Sequence, residues 1–362
     1  MKRLVLLLLA LVLVLAACGE KKAAKTEKKP EKEPVTTEDP VNNEEVDDTP
    51  ATIYRNPLNG DAVDAAWEGR PTAVVINNIK AALPHYGTSE ADFLFEAETE
   101  SGITRMLAIY HNVPEIGQIG PIRSDRTFFN SIAQSFDAAI VHCGGSVRGR
   151  NGYHDLNGGK IENWDHLDAT YYEGSYFFRD NDRYNNQGYN WEHCLFSNGE
   201  KLQKGLVARE IDAPTARSSD FGYQFSEEPN LNGAAANQVV VKFCDGKTTT
   251  FDYDAEAKLY RTSQYGSKYI DVNNNEQVSF RNVITLITDQ TYRHDGEYSR
   301  SYYTLIGEGE GFLAIDGKIA HIKWSRESLE SPFVYTLSDG TAVTLGVGHT
   351  YVGITSATAT YE

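Results

Sequence analysis

Glu96, Glu98 and Glu100 recur at every second position of Asp92-Phe-Leu-Phe-Glu-Ala-Glu-Thr-Glu100. In a β-strand that spacing sets three carboxylates on one face and Phe93, Phe95 and Ala97 on the other. Like charges on one face repel unless they are solvated or paired. Cations follow at Arg105, Arg123 and Arg126, the last two within Gly117-Gln-Ile-Gly-Pro-Ile-Arg-Ser-Asp-Arg126. A helix predicted from Thr127 starts at this turn. Ser124 or Asp125 would cap it, with its first N–H groups open to an anion. His142-Cys-Gly-Gly-Ser146 then reads as a strand end where two glycines let a ligand approach closely.

These residues suggest one polar pocket of Glu96, Glu100, Arg105, Arg123, Ser124, Arg126, His142 and Ser146. The arginines, with Ser124 and Ser146, would hold a carboxylate, phosphate or sulfate. Glu96, Glu100 or His142 would be the candidates for moving a proton. The plainer reading is a structural network of mutually satisfied charges, with His142 bonded inside the core.

Other motifs point to less. Gly144-Gly-Ser146 resembles the front of a nucleophile elbow, but Arg148 replaces the closing glycine. Asp180-Asn-Asp182 and Asp271-Val-Asn273 mimic the start of a calcium loop and then depart from it, so turns are expected. No H-E-x-x-H or C-x-x-C occurs, so neither a metal nor thiol exchange is expected. Gly307-Glu-Gly-Glu-Gly311 lacks dinucleotide spacing and Walker A is missing, so no cofactor is expected. Tyr171, Tyr172, Tyr176, Phe177 and Phe178 would suit sugar stacking or ordinary packing.

The elements that must position these groups can be read coarsely. Residues 72–77, 92–100, 105–110 and 138–142 read as strands and 127–136 as a helix. Beyond about residue 230 the chain reads as strand after strand, with Asp316-Gly317 and Asp339-Gly340 as hairpin turns. The expectation is an α+β chain, with a mixed α/β N-terminal domain over 53–230 and a mainly-β C-terminal domain over 231–362. Lys/Glu/Pro-rich residues 18–52 are expected to be a disordered stalk. Met1-Lys-Arg3, an apolar run from Leu4 to Val14 and Leu15-Ala-Ala-Cys18 form a lipoprotein signal over 1–17, with Cys18 as the lipidated residue. The expected address is the cell membrane, lipid-anchored on the extracytoplasmic side.

The 362 residues carry a net charge of −17, and loss of Lys2 and Arg3 with the signal would make it −19. Such a surface repels phosphate backbones, so nucleic acid is not an expected partner. Beyond Cys18 the cysteines are Cys143, Cys194 and Cys244, which leaves one bridge plus a thiol, or three buried thiols.

Several stretches together resemble the DUF3048 family of YerB-like lipoproteins. They are Arg70-Pro-Thr-Ala-Val-Val-Ile-Asn-Asn78, Ala91-Asp92 with Glu96, Glu100-Ser-Gly-Ile-Thr-Arg105, Ile119-Gly-Pro-Ile-Arg-Ser-Asp-Arg126 and Val141-His-Cys-Gly-Gly-Ser146. Phe178-Arg-Asp180, His193-Cys-Leu-Phe-Ser197, Arg281-Asn-Val-Ile284 and Gly340 to Tyr351 extend the likeness over roughly 55–355. The chain departs from the pattern at Asp125, at Cys194 and in the loop 181–191. The resemblance implies a secreted lipoprotein with an N-terminal mixed domain and a C-terminal β domain, and no activity. Three functions stay open. One is a non-catalytic lipoprotein binding an anionic glycan or peptide of the envelope. The second is an envelope hydrolase or transferase using Glu96, Glu100 and His142. The third is a scaffold of an envelope complex.

Overall fold

Strand β1, Thr72–Asn78, is buried at all seven positions. A run without a polar face needs a partner strand on each edge and cover on both faces. The computed structural model describes residues 53–145, 153–154, 160–161, 165–215, 221–229, 231–295, 298–356 and 360–361. The expected signal 1–17, Cys18, the expected stalk 18–52 and Ser146 lie outside the described residues.

After β1 come β2 (Phe93–Glu100), β3 (Ile103–Tyr110), helix α1 (Thr127–Ser135), β4 (Ala139–His142), β5 (His166–Asp168) and α2 (Gly199–Ala208). The second half holds β6 (Gln238–Cys244), β7 (Lys247–Asp254), β8 (Leu259–Gln264), β9 (Asn282–Ile287), β10 (Gln290–Asp295) and β11 (Tyr298–Tyr303). It closes with β12 (Gly307–Ile315), β13 (Lys318–Arg326), β14 (Val334–Leu337) and β15 (Thr350–Thr355).

One sheet of 11 strands runs β5-β4-β1-β3-β2-β15-β9-β12-β13, with Ala234–Ala235 and β14 both against β13. Strands from both sides of residue 230 share it. β1 pairs antiparallel with β3, and β3 with β2. β15 lies between β2 and β9, parallel to both. β6, β7 and β8 form an antiparallel meander in a second sheet.

The main sheet is covered on both faces. On one, Val74, Ile76, Leu94, Met106 and Tyr351 pack with Leu202 and Leu206 of α2 and with Val239, Phe251 and Tyr260 of the meander. On the other, Val75, Phe93, Phe95 and Leu107 pack with Phe128, Phe129 and Ile132 of α1 and with Trp324. Each such side chain contributes about 1.5–3 kcal/mol by leaving water.

The expected mixed α/β N-terminal domain is overturned. Among the described residues strands make up 47% and helices 15%, and both halves are β-rich. Strand runs interrupted by one helix at 127–136 imitate βαβ alternation, but β1, β3 and β2 pair antiparallel, without helical crossovers between them. Among the described residues of 151–200 the helices are short, Ala169–Tyr172 and Asn181–Asn185 among them.

α1 begins at Thr127 as expected, but its N-cap is Arg126, with no side-chain cap; neither Ser124 nor Asp125 performs that task. The calcium-like motifs are turn and cap chemistry. Asp180 caps the helix Asn181–Asn185 by accepting from the Arg183 N–H. Asp271 accepts from the backbone N–H groups of Gly87, Ser89 and Asn273. Cys143, Cys194 and Cys244 are all free thiols.

Candidate functional site

Ser101 and Gly102, at φ 49 and 78, close β2 onto β3 in the left-handed conformation that suits a two-residue hairpin turn. Just before this turn the register shifts. Glu98 opposes Thr104 while Glu100 opposes Ile103, leaving Thr99 as the extra residue of a β-bulge. A bulge reverses the facing of the side chains beyond it. The three carboxylates therefore do not share a face, contrary to the strict alternation expected of them.

Glu96 faces the meander and is fully buried. Its Oε1 accepts from Asn78 Nδ2 at 2.7 Å, Thr104 Oγ1 at 2.7 Å and Lys247 Nζ at 2.9 Å. Its Oε2 accepts from Thr249 Oγ1 at 2.9 Å and the Tyr351 hydroxyl at 2.6 Å. Lys247 also donates to Thr249 and Gln264. Every partner is protein, so Glu96 joins the two sheets. Glu98 accepts from the Gly102 N–H, Gln290 and Tyr292.

Glu100, beyond the bulge, meets arginines. Arg126 grips it bidentately, with Nε at 3.0 Å from Oε2 and an Nη at 2.7 and 2.6 Å from the two oxygens. Arg105 donates to Oε1 at 3.0 Å and Arg300 to Oε2 at 3.3 Å. Arg105 and Arg126 also donate to the Ser124 and Asp125 carbonyls, at 2.6 and 2.7 Å. Burial pushes the Glu100 carboxyl up, but Arg105, Arg126 and Arg300 together hold it at about 2. Burial and then repulsion from Arg126 pull Arg105 well below the usual guanidinium value.

Two features leave this cluster electrostatically unfinished. Arg105, Arg126 and Arg300, all buried, share one carboxylate. The Nε–H groups of Arg105 and Arg123 are buried with no acceptor among the described residues. Asp125 does not compensate. It is fully buried, neither of its oxygens has a hydrogen-bond partner among the described residues, and burial pushes its carboxyl up to about 8, against the ionised form. Arg123 turns outward to Glu192 at 2.8 Å.

His142 is buried and committed elsewhere. Its Nδ1 lies 2.7 Å from the Gly144 carbonyl and its Nε2 3.0 Å from His166 Nδ1. A carbonyl only accepts, so His142 carries its proton on Nδ1, and Nε2 takes the His166 proton. Burial lowers both rings, His166 to about 4, so the pair is neutral near pH 7.

The structure thus brings together Glu100, Arg105, Arg126 and the Ser124 carbonyl, with Arg123 at the edge. It places Glu96 on the opposite sheet face and His142 against His166. Arg300, Lys247 and Glu192 were missed. Arg300 lies 200 positions from Glu100, and nothing local in its strand points there.

Comparison with known proteins places this geometry in context. The model described as "Protein of unknown function (DUF3048) N-terminal domain" matches residues 58–212, and that of the DUF3048 C-terminal domain matches 239–352. A Bacillus subtilis (strain 168) protein named "Putative lipoprotein YerB" is 26% identical over 289 residues, covering 79% of this chain and 81% of its own length. A crystal structure of the YerB protein from Bacillus subtilis is similar in fold, with a TM-score of 0.69 at 23% identity, over 85% of this chain and 99% of that one.

Proposed function

The chain belongs to the DUF3048 family, a protein family of unknown function, and from that premise we propose that it is a lipid-anchored extracytoplasmic protein that binds an anionic envelope ligand through Arg105, Arg123 and Arg126. The Leu15-Ala-Ala-Cys18 pattern and the name of the Bacillus subtilis relative support the anchor. No helix among the described residues is long and apolar enough to cross a membrane. The wild-type chain should therefore incorporate a labelled fatty acid in a bacterial host, and Cys18→Ala should not. Equal labelling of the two would contradict the anchor.

The observation carrying the ligand reading is the charge imbalance around Glu100. Three buried guanidinium groups share one carboxylate, burial raises the carboxyl of the adjacent Asp125, and two arginine N–H donors lack acceptors among the described residues. Buried donors and charges without partners are costly, and an incoming anion relieves both costs. An arginine fork suits a carboxylate or a phosphate.

The test is calorimetric titration of the full chain with inorganic phosphate, with chloride matching the ionic strength. Saturable binding is expected. Arg123→Gln, and Arg105→Lys, which keeps the charge but removes the Nε–H, should each weaken it by about tenfold. Heat indistinguishable from the chloride control, or variants binding like wild type, would overturn the reading.

The alternative of an envelope hydrolase or transferase draws no support from the three groups it needs. The Glu96 oxygens are filled by five protein donors, the Glu100 carboxyl is locked in its ionised form, and His142 Nε2 is occupied.

A further inference from the structure

Beside the arginine cluster, two large aromatic rings stand in contact at the surface. Trp191 is 44% and Tyr184 45% exposed. Their ring centroids are 5.0 Å apart and nearly perpendicular, at 77°. A single exposed aromatic is unremarkable, but adjoining ones form an apolar patch whose cost in water needs a reason.

The patch is held firmly. Arg179 stands 5.1 Å from the centre of the Trp191 ring. It donates to the Trp191 carbonyl at 2.9 Å and to both Glu173 oxygens at 3.1 Å. Tyr184 sits on the helix capped by Asp180. Rings fixed before binding lose little entropy on contact with a ligand.

The patch also adjoins the cationic site. Glu192 follows Trp191 in the chain and accepts from Arg123 at 2.8 Å. Arg123 precedes Ser124, whose carbonyl takes Arg105 at 2.6 Å. One half-exposed ion pair therefore links aromatic faces to the under-compensated arginines.

We infer that Trp191 and Tyr184 form a stacking subsite for a sugar ring, and that the ligand of the adjoining cationic site is an acidic glycan. A pyranose has an apolar C–H face that lies on an aromatic ring and hydroxyls around its rim. Glu192 accepts from such hydroxyls, and Arg123 donates to them or to an acidic substituent. A simple anion would use the arginines and leave the rings bare. This inference rests on the anion-binding reading above.

The experiment compares the full chain with trigalacturonate, galacturonate, neutral chitotriose and triglutamate as probes. Wild type should bind trigalacturonate about tenfold more tightly than galacturonate, and more tightly than chitotriose or triglutamate. In Trp191→Ala, and separately in Tyr184→Ala, the advantage of the trimer over the monomer should collapse. Binding of galacturonate with the advantage intact in both variants overturns this inference and leaves the anion reading standing. Chitotriose or triglutamate binding as tightly as trigalacturonate overturns the acidic-glycan assignment. Binding of neither uronate nor phosphate overturns both readings.

Discussion

Lys247→Met should cost about 3–5 kcal/mol of unfolding free energy, the size expected when one partner of a buried ion pair is removed. Lys247 Nζ and Glu96 Oε1 lie 2.9 Å apart, with both side chains fully buried. The change leaves the Glu96 carboxylate between two sheets without its cation. Glu96→Gln should be costly for the converse reason. The double variant should be less destabilised than the two single costs added together, because neither charge remains. Urea unfolding of the four proteins measures this. A cost below about 1 kcal/mol for Lys247→Met would place the pair among ordinary surface bridges and contradict its role as the joint between the sheets.

Asp125 should make the protein's stability depend on pH in an unusual direction. Its carboxyl is fully buried, its oxygens have no hydrogen-bond partner among the described residues, and burial raises it from 3.8 to about 8. The native state thus keeps a proton that the unfolded chain releases above its ordinary pKa. Stability from this group is complete below about pH 4 and is lost as pH rises toward 8, by up to about 1.4 kcal/mol per pH unit. Asp125→Asn cannot titrate. Unfolding free energies of the two proteins between about pH 5 and 8 should diverge, with the variant gaining on wild type as pH rises. Parallel curves would show that Asp125 is ionised in the native protein and already balances its arginine neighbours.

Both predictions concern residues whose roles were hard to read from the chain. Lys247 follows Asp245-Gly246, so it looks like a solvated turn residue. Only the packing of the meander on the main sheet buries it. Asp125 looks like a helix cap, but the helix begins one residue later than that task requires. The association of Glu100 with Arg105 and Arg126 was legible, since opposite charges flank a hairpin turn and a helix start. The error over Glu96 came from a bulge at Thr99. Threonine is a good strand former, so nothing in residue type marks the extra residue. Arg300 needs the hairpin of β10 and β11 to be laid beside the end of β2, a long-range pairing that no local pattern encodes. The layering failed for a related reason. Short apolar runs such as 72–77 showed that strands exist. Antiparallel pairing of β1, β3 and β2, and α1 serving as cover, depend on the whole sheet.

The most direct test of anion binding watches the two N–H groups of the arginine cluster that lack acceptors among the described residues. In nuclear magnetic resonance spectra of the full chain, the Nε–Hε signals of Arg105 and Arg123 should shift saturably as inorganic phosphate is added. The signal of Arg326, whose Nε already donates to the Ser331 carbonyl at 3.0 Å, should stay in place. Stationary signals at Arg105 and Arg123, or equal drift at all three arginines, would contradict the account.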